Sequence, residues 1–202
     1  MMRRLHDLFT LKAFKSAKGV SFVKDRRGVS AVEFALVAPV LIMAYLGLAE
    51  LTLGMMASRR TSHLAATIGD LAAQSETLTD ANITDLWAIG TSMLLPFATT
   101  DSKGKTTLKV RLTSVTMSTD SKALVNWSRS SAESAYPKYA KNFQITGITT
   151  SQIAAGESLI MTEVEYDYDS PVGNFIKTGT KFRDTFYHHP RNGAAVACPT
   201  CT

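Results

Sequence analysis

Glu33 stands at the mouth of an apolar run, where a carboxylate is an expensive residue. It is the fifth residue after Gly28; Phe34 follows it, and the basic pair Arg26-Arg27 precedes the glycine. A carboxylate at that depth could neutralise a cation in lipid, and such a pair would compensate two costly charges. Its plainer reading is an interfacial acid near a helix N-terminus, favoured by the macrodipole. Three further groups could do chemistry. Glu163, Glu165, Asp167 and Asp169 form an acidic row, and hard cations take several oxygens. Alternate residues of a flat strand diverge, however, and no glycine-containing loop wraps them. A solvated face is expected instead, paired across strands with Lys181 and Arg183. Cys198 and Cys201 form a Cys-Pro-Thr-Cys motif at the end of the chain. In an exported domain a disulfide is the default, although it closes too small a loop to fasten much of a fold; the alternative is that Cys198 reaches a partner molecule. A redox motif belongs at a helix N-terminus in a thioredoxin-like unit, which is not found here. Adding His188 and His189 would make a zinc site only if four ligands converged, and adjacent strand residues face opposite ways. They read as ordinary strand-end histidines. No metal and no cofactor is expected.

The elements that must position Glu33 are legible. Phe34 to Leu53 carries a single charge, Glu50, near its far end. As a helix it spans roughly 30 Å, the hydrocarbon thickness of a bilayer. Residues 1–28 hold eight Lys/Arg (Arg3, Arg4, Lys12, Lys15, Lys18, Lys24, Arg26, Arg27) against two acids, Asp7 and Asp25. Only Arg59 and Arg60 flank the other side. The positive-inside rule keeps the N-terminus in the cytoplasm and exports the bulk of the chain. A secretory signal peptide has a shorter apolar region, about 7–15 residues, ending at a small-residue cleavage site. The run here is longer, and Met55-Met56-Ala57 matches such a site poorly. The expected organisation is a basic cytoplasmic leader at 1–28, a membrane segment at 29–56 with its apolar core at 34–53, and an exported domain at 57–202.

The arrangement of basic pair, glycine, four residues, Glu-Phe and apolar span resembles the processing and assembly signal of type IV prepilins. Arg26 to Glu50, RRGVSAVEFALVAPVLIMAYLGLAE, is similar to the start of the TadE-like family of the tight-adherence (Flp) pilus system, including a mid-span proline, Pro39, and an acid near the outer end, Glu50. Leu159 to Tyr168 and residues 189–198 resemble that family too. The resemblance implies a minor pseudopilin, cut between Gly28 and Val29 by a prepilin peptidase and needed for pilus biogenesis. Gly28 suits a scissile position because its backbone can enter a catalytic cleft closely; as a plain residue it is a loop glycine before a helix. After the cut, Val29 would carry a new α-amino group, four residues from Glu33 and able to pair with it in the same subunit or a neighbour. The implied roles are cleavage at Gly28 and Val29, assembly through Glu33 and Phe34, and topology through Arg26 and Arg27. The implied partners are the peptidase, other pilins and pseudopilins, the assembly platform and inner-membrane lipid.

Charge and composition exclude other classes. The chain has 202 residues and a net charge of +5. The first 28 residues contribute +6, which leaves −1 for the rest. A nucleic-acid footprint needs cations clustered on a folded face, so no nucleic-acid partner is expected. The sequence has no phosphate loop, no dinucleotide fingerprint, no zinc-protease helix and no Gly-x-Ser-x-Gly, so an enzyme is not expected.

Beyond the span the helix should continue, because Leu64, Ile68 and Leu71 recur at helical spacing. Ser75 to Asp80 reads as a break. A second helix is expected from about Thr79 to Leu95, capped by Thr79 or Asp80, ended by Pro96 and anchored in the core by Trp87. Strands follow: Thr106–Met117 with a bulge before Val115; Ala123, Val125 and Trp127 alternating on a second; Ser158–Asp169; and Thr178–His188 with Phe182 and Phe186 on one face. Residues 128–156 read as mixed, with a short helix or loops around Tyr136 and Tyr139. Pro171–Ile176 reads as a crossing segment. The expected fold is α+β and pilin-like: a long N-terminal transmembrane and stalk helix, and a second helix packed on an antiparallel sheet of about four strands.

Two further functions fit the same sequence. One is an uncleaved bitopic anchor that presents a periplasmic binding or adhesive domain. The other is a tethered periplasmic enzyme, which would need a convergent catalytic cluster that nothing in the sequence assembles.

Overall fold

A computed structural model describes residues 28–171, 176–177 and 179–201. The basic leader, Arg26 and Arg27 included, lies outside the described residues, as do 172–175 of the crossing segment and Thr178. The chain divides into two compact units, Met1–Ala44 and Tyr45–Thr202.

The described part of the first unit is the beginning of helix α1, Val29–Ala73, which runs on through Pro39. Its side chains are exposed nearly throughout: Phe34 is 70% accessible and Leu36 74%. The helix is long and apolar enough to cross a membrane, and its most apolar stretch is not buried at all within the protein.

In the second unit α1 changes character. Glu50, Gly54, Ala57, Thr61, Leu64, Ala65, Ile68 and Ala72 recur every three or four residues and are buried. This is the stripe by which a helix packs on a core. Helix α2, Asp80–Leu94, is capped by Thr79. The Thr79 side chain accepts from the Asn82 backbone N–H (3.3 Å), and the Asn82 side chain accepts from the Thr79 N–H (2.9 Å), a reciprocal capping box. Gly90 of α2 faces Leu64 and Ile68 of α1, where a Cβ would lie 3.0 Å from Ile68 Cδ1. Trp87 is partly buried against the core, as expected.

The sheet has five antiparallel strands: β1 Leu108–Met117, β2 Ala123–Ser130, β3 Gln144–Ile145, β4 Ser158–Tyr168 and β5 Thr180–His188, in the order β3-β2-β1-β4-β5. The α+β architecture is as the sequence predicts, with one strand more. The added strand has two residues and lies in the stretch read as mixed, which forms loops and no helix around Tyr136 and Tyr139. Pairing of β1 with β2 shifts between Ser114 and Val115. The extra residue is Asn126, because Ser114 pairs with Trp127 and Val115 with Val125. This corrects the simple alternation of Ala123, Val125 and Trp127. The bulge turns Trp127 into the helix-facing core, whereas Val125 and Ala123 stay in a second apolar cluster with Val115, Met117, Leu159 and Met161.

The helix-facing core joins Leu64, Ile68, Ile83 and Leu94 to Leu108, Val110, Leu112, Ile160, Val164, Tyr166 and Tyr168. Helix and sheet come close at Gly69, where a Cβ would stand 2.5 Å from His188 Nδ1 and 2.7 Å from Thr162 Oγ1. The C-terminal segment closes over the α1–α2 junction. The Leu78 N–H donates to the Ala197 carbonyl (2.8 Å), the Ala197 N–H to the Glu76 carbonyl (2.9 Å), and the Trp127 indole N–H to the Val196 carbonyl (2.8 Å).

Candidate functional site

The candidate site is the first turns of α1. Gly28 is exposed, and no atom lies within 4 Å of the place a Cβ would occupy. Nothing in its surroundings therefore requires a glycine. Val29 opens the helix and is 46% accessible. Glu33 is exposed one turn later, and Phe34 beside it is 70% accessible. Val29 and Glu33 are related by i, i+4, so they share a face about 6 Å apart along the axis. The Glu33 carboxylate makes no hydrogen bond or ion pair with another described residue. An exposed carboxylate on an otherwise apolar helical surface can satisfy a cation on another chain or at the chain's own start. Arg26 and Arg27 lie outside the described residues.

Glu50, the other acid of the apolar run, is placed quite differently. It belongs to the compact unit and is wholly buried. It accepts the Ser170 hydroxyl and the Ile176 backbone N–H (3.0 Å). A buried carboxylate is tolerable when donors satisfy its oxygens. One turn on, Gly54 lies under Ile176: a Cβ there would come 2.6 Å from Ile176 Cδ1. Glu50 therefore ties the helix to the segment that joins β4 to β5.

The acidic row of β4 is not the solvated face expected of it. Glu165 is 4% accessible, because two cations of β1 reach it and its neighbour from the side opposite β5. Lys109 donates to Glu165 Oε1 (2.7 Å) and Asp167 Oδ2 (2.9 Å). Arg111 donates from Nε and Nη2 to the two oxygens of Glu163 (2.7 Å each), the fork geometry that makes such pairs strong. Lys181 (2.9 Å) and Arg183 (2.6 Å) donate to Glu165 from β5, as the cross-strand reading requires. The Arg111 guanidinium stands over the rings of Tyr136 (4.3 Å) and Tyr139 (3.8 Å), so the loop after β2 lids the pair. Burial pushes the Glu165 carboxyl up, but the bonds from Lys109, Lys181 and Arg183 outweigh it and hold the group down, at about 2. Burial likewise pushes the Tyr136 phenol up to about 12. The sequence reading missed Lys109 and Arg111. Their signal was present: they alternate with Leu108, Val110 and Leu112 and so share the face of the acids.

Cys198 and Cys201 are joined by a disulfide whose ends sit in the helix-facing core. His188 ends β5 against Gly69, while His189 is exposed. Burial lowers the His188 pKa, Arg191 adds to that, and Asp70 opposes it. Among the described residues, no three of His, Cys, Asp and Glu are placed to hold a metal ion.

The family model described as TadE-like protein matches residues 28–69, which is α1 from the candidate cleavage site to its contact with the sheet. No curated protein and no solved structure matches the chain.

Proposed function

From the TadE-like segment at residues 28–69, which associates the chain with the Tad pilus system, we propose that the protein is a minor pseudopilin-like component needed to assemble a tight-adherence (Flp) type IV pilus. A prepilin peptidase cuts after Gly28. The product is a single-pass protein of the bacterial inner membrane, with the removed leader on the cytoplasmic side and the α+β domain in the periplasm.

The observation that carries this reading is the exposed carboxylate of Glu33 on a bare apolar helix, one turn after the residue that the cut makes N-terminal. A lipid-facing helix gains from a second helix that covers its surface and pairs its charge. The role is assembly, not catalysis: Val29 acquires the amine, Glu33 sets register against neighbouring pilin helices, Phe34 packs beside it, and the sheet domain caps or primes the fibre. The test is Glu33→Ala at native expression. The variant should remain in the membrane at wild-type level, while sheared surface fibres disappear. Normal piliation in that variant overturns the assembly role.

A further inference from the structure

A groove of about 690 Å³ opens on the side of α1 away from its buried stripe, lined by Thr52, Met55, Met56, Arg59, Arg60 and His63 of α1 and by Met93 of α2. It straddles Leu53, where the apolar run ends. Its lining is graded. Thr52, Met55 and Met56 stand nearest the run, and Met55 and Met56 are exposed (48% and 40%). Arg59 and His63 follow, i and i+4 on the same face and both exposed. Arg60, beside them, is already committed, because it donates to the carbonyls of Met93 (3.2 Å) and Leu95 at the end of α2. Those bonds hold Arg60 against the end of α2. Arg59 forms no ion pair with a described residue.

We propose that this groove seats an anionic glycerophospholipid of the periplasmic leaflet, with Arg59 and His63 on its phosphate and Met55 and Met56 on the start of its acyl chains. The inference rests on the reading of α1 as a membrane span. At 1.5 Å per residue, Arg59 sits about 9 Å beyond Leu53, and its long side chain can turn back toward the phosphate layer. Thioethers suit the irregular, mobile chains at that depth. The order of the lining, apolar and then cationic along the helix, is the order of a phospholipid read outward from the bilayer. A neighbouring apolar helix would match the methionines but would leave Arg59 against an uncharged surface.

The test uses the full chain in vesicles of phosphatidylcholine alone and in vesicles with one third phosphatidylglycerol. Flotation is followed by gentle detergent extraction and native mass spectrometry of retained lipid. The protein should float with both vesicles and retain phosphatidylglycerol in preference to phosphatidylcholine. Arg59→Gln should reduce that preference about fivefold, the contribution of one arginine near an anionic surface. Lys122→Gln, in the exposed turn before β2, should leave it unchanged. Met56→Trp, which fills the groove without altering charge, should reduce retention of both lipids, and inorganic phosphate should not compete. Equal retention of the two lipids, or retention indifferent to Met56→Trp, overturns the groove as a lipid seat while the span stands. Failure to float with either vesicle overturns the span and this inference with it.

Discussion

Glu50 accepts a hydrogen bond from Ser170, a residue 120 positions later in the chain, and both are buried. The one acid inside the apolar run beyond Glu33 is thus a structural anchor. Glu50→Ala removes the carboxylate that accepts from the Ser170 hydroxyl and takes the acceptor from the Ile176 N–H, at a cost of about 1–3 kcal/mol. Glu50→Gln keeps one acceptor oxygen and should lose less. Thermal unfolding in detergent, with the three proteins side by side, measures the order; an Ala variant as stable as the parent would remove the anchoring role.

Arg111 is held by Glu163 and by two tyrosine rings, so its removal strands a nearly buried carboxylate. Arg111→Met should destabilise the domain by about 3–5 kcal/mol. Arg129→Met, which breaks the more exposed pair with Asp80 (2.9 Å), should cost no more than about 1 kcal/mol. Urea midpoints of the two variants test the difference.

Acid should weaken the domain through Glu165. Its folded pKa, about 2, lies below the ordinary 4.5. A depressed carboxylate contributes stability that is full above its unfolded pKa and is lost as pH falls through the folded one. The unfolding midpoint should therefore drop as pH falls from about 4.5 toward 2. Lys109→Met removes a donor and should flatten that dependence. An unchanged pH profile in this variant would contradict the assignment.

Two glycines should respond unequally to alanine. At Gly69 the added carbon meets His188 and Thr162 at 2.5–2.7 Å, and Gly69→Ala should cost about 1–3 kcal/mol as helix and sheet are forced apart. At Gly90 it meets the tip of Ile68 at 3.0 Å and Leu64 at an ordinary 3.8 Å. There the gain in helix propensity, about 0.5–1 kcal/mol, should offset the contact and leave Gly90→Ala near neutral. Thermal melts of both variants decide it.

Much of this architecture was legible because local signals carried it. A capping residue at Thr79 or Asp80 marks the start of α2, Pro96 its end, and the alternation in Ser158–Asp169 is that of a strand, which the structure places at Ser158–Tyr168. The irregularity before Val115 is legible, but the sequence places it on the first strand, whereas the extra residue is Asn126 of β2, because its place depends on the partner strand's register. The acid row was misjudged for a related reason. Its burial comes from Lys109 and Arg111, 52 to 58 residues away, and from a tyrosine loop with no period of its own. At the N-terminus, residue types and spacing marked Glu33 and Phe34, and the structure leaves both exposed on the apolar helix. Glu50's partners lie in a segment whose docking no local pattern encodes.

The central claim is processing at Gly28, and the most direct measurement is the intact mass and N-terminal sequence of the protein from native membranes, with and without the prepilin peptidase. The account predicts a peptidase-dependent terminus at Val29. A full-length N-terminus in both strains would contradict it and leave an uncleaved anchor that presents a periplasmic domain.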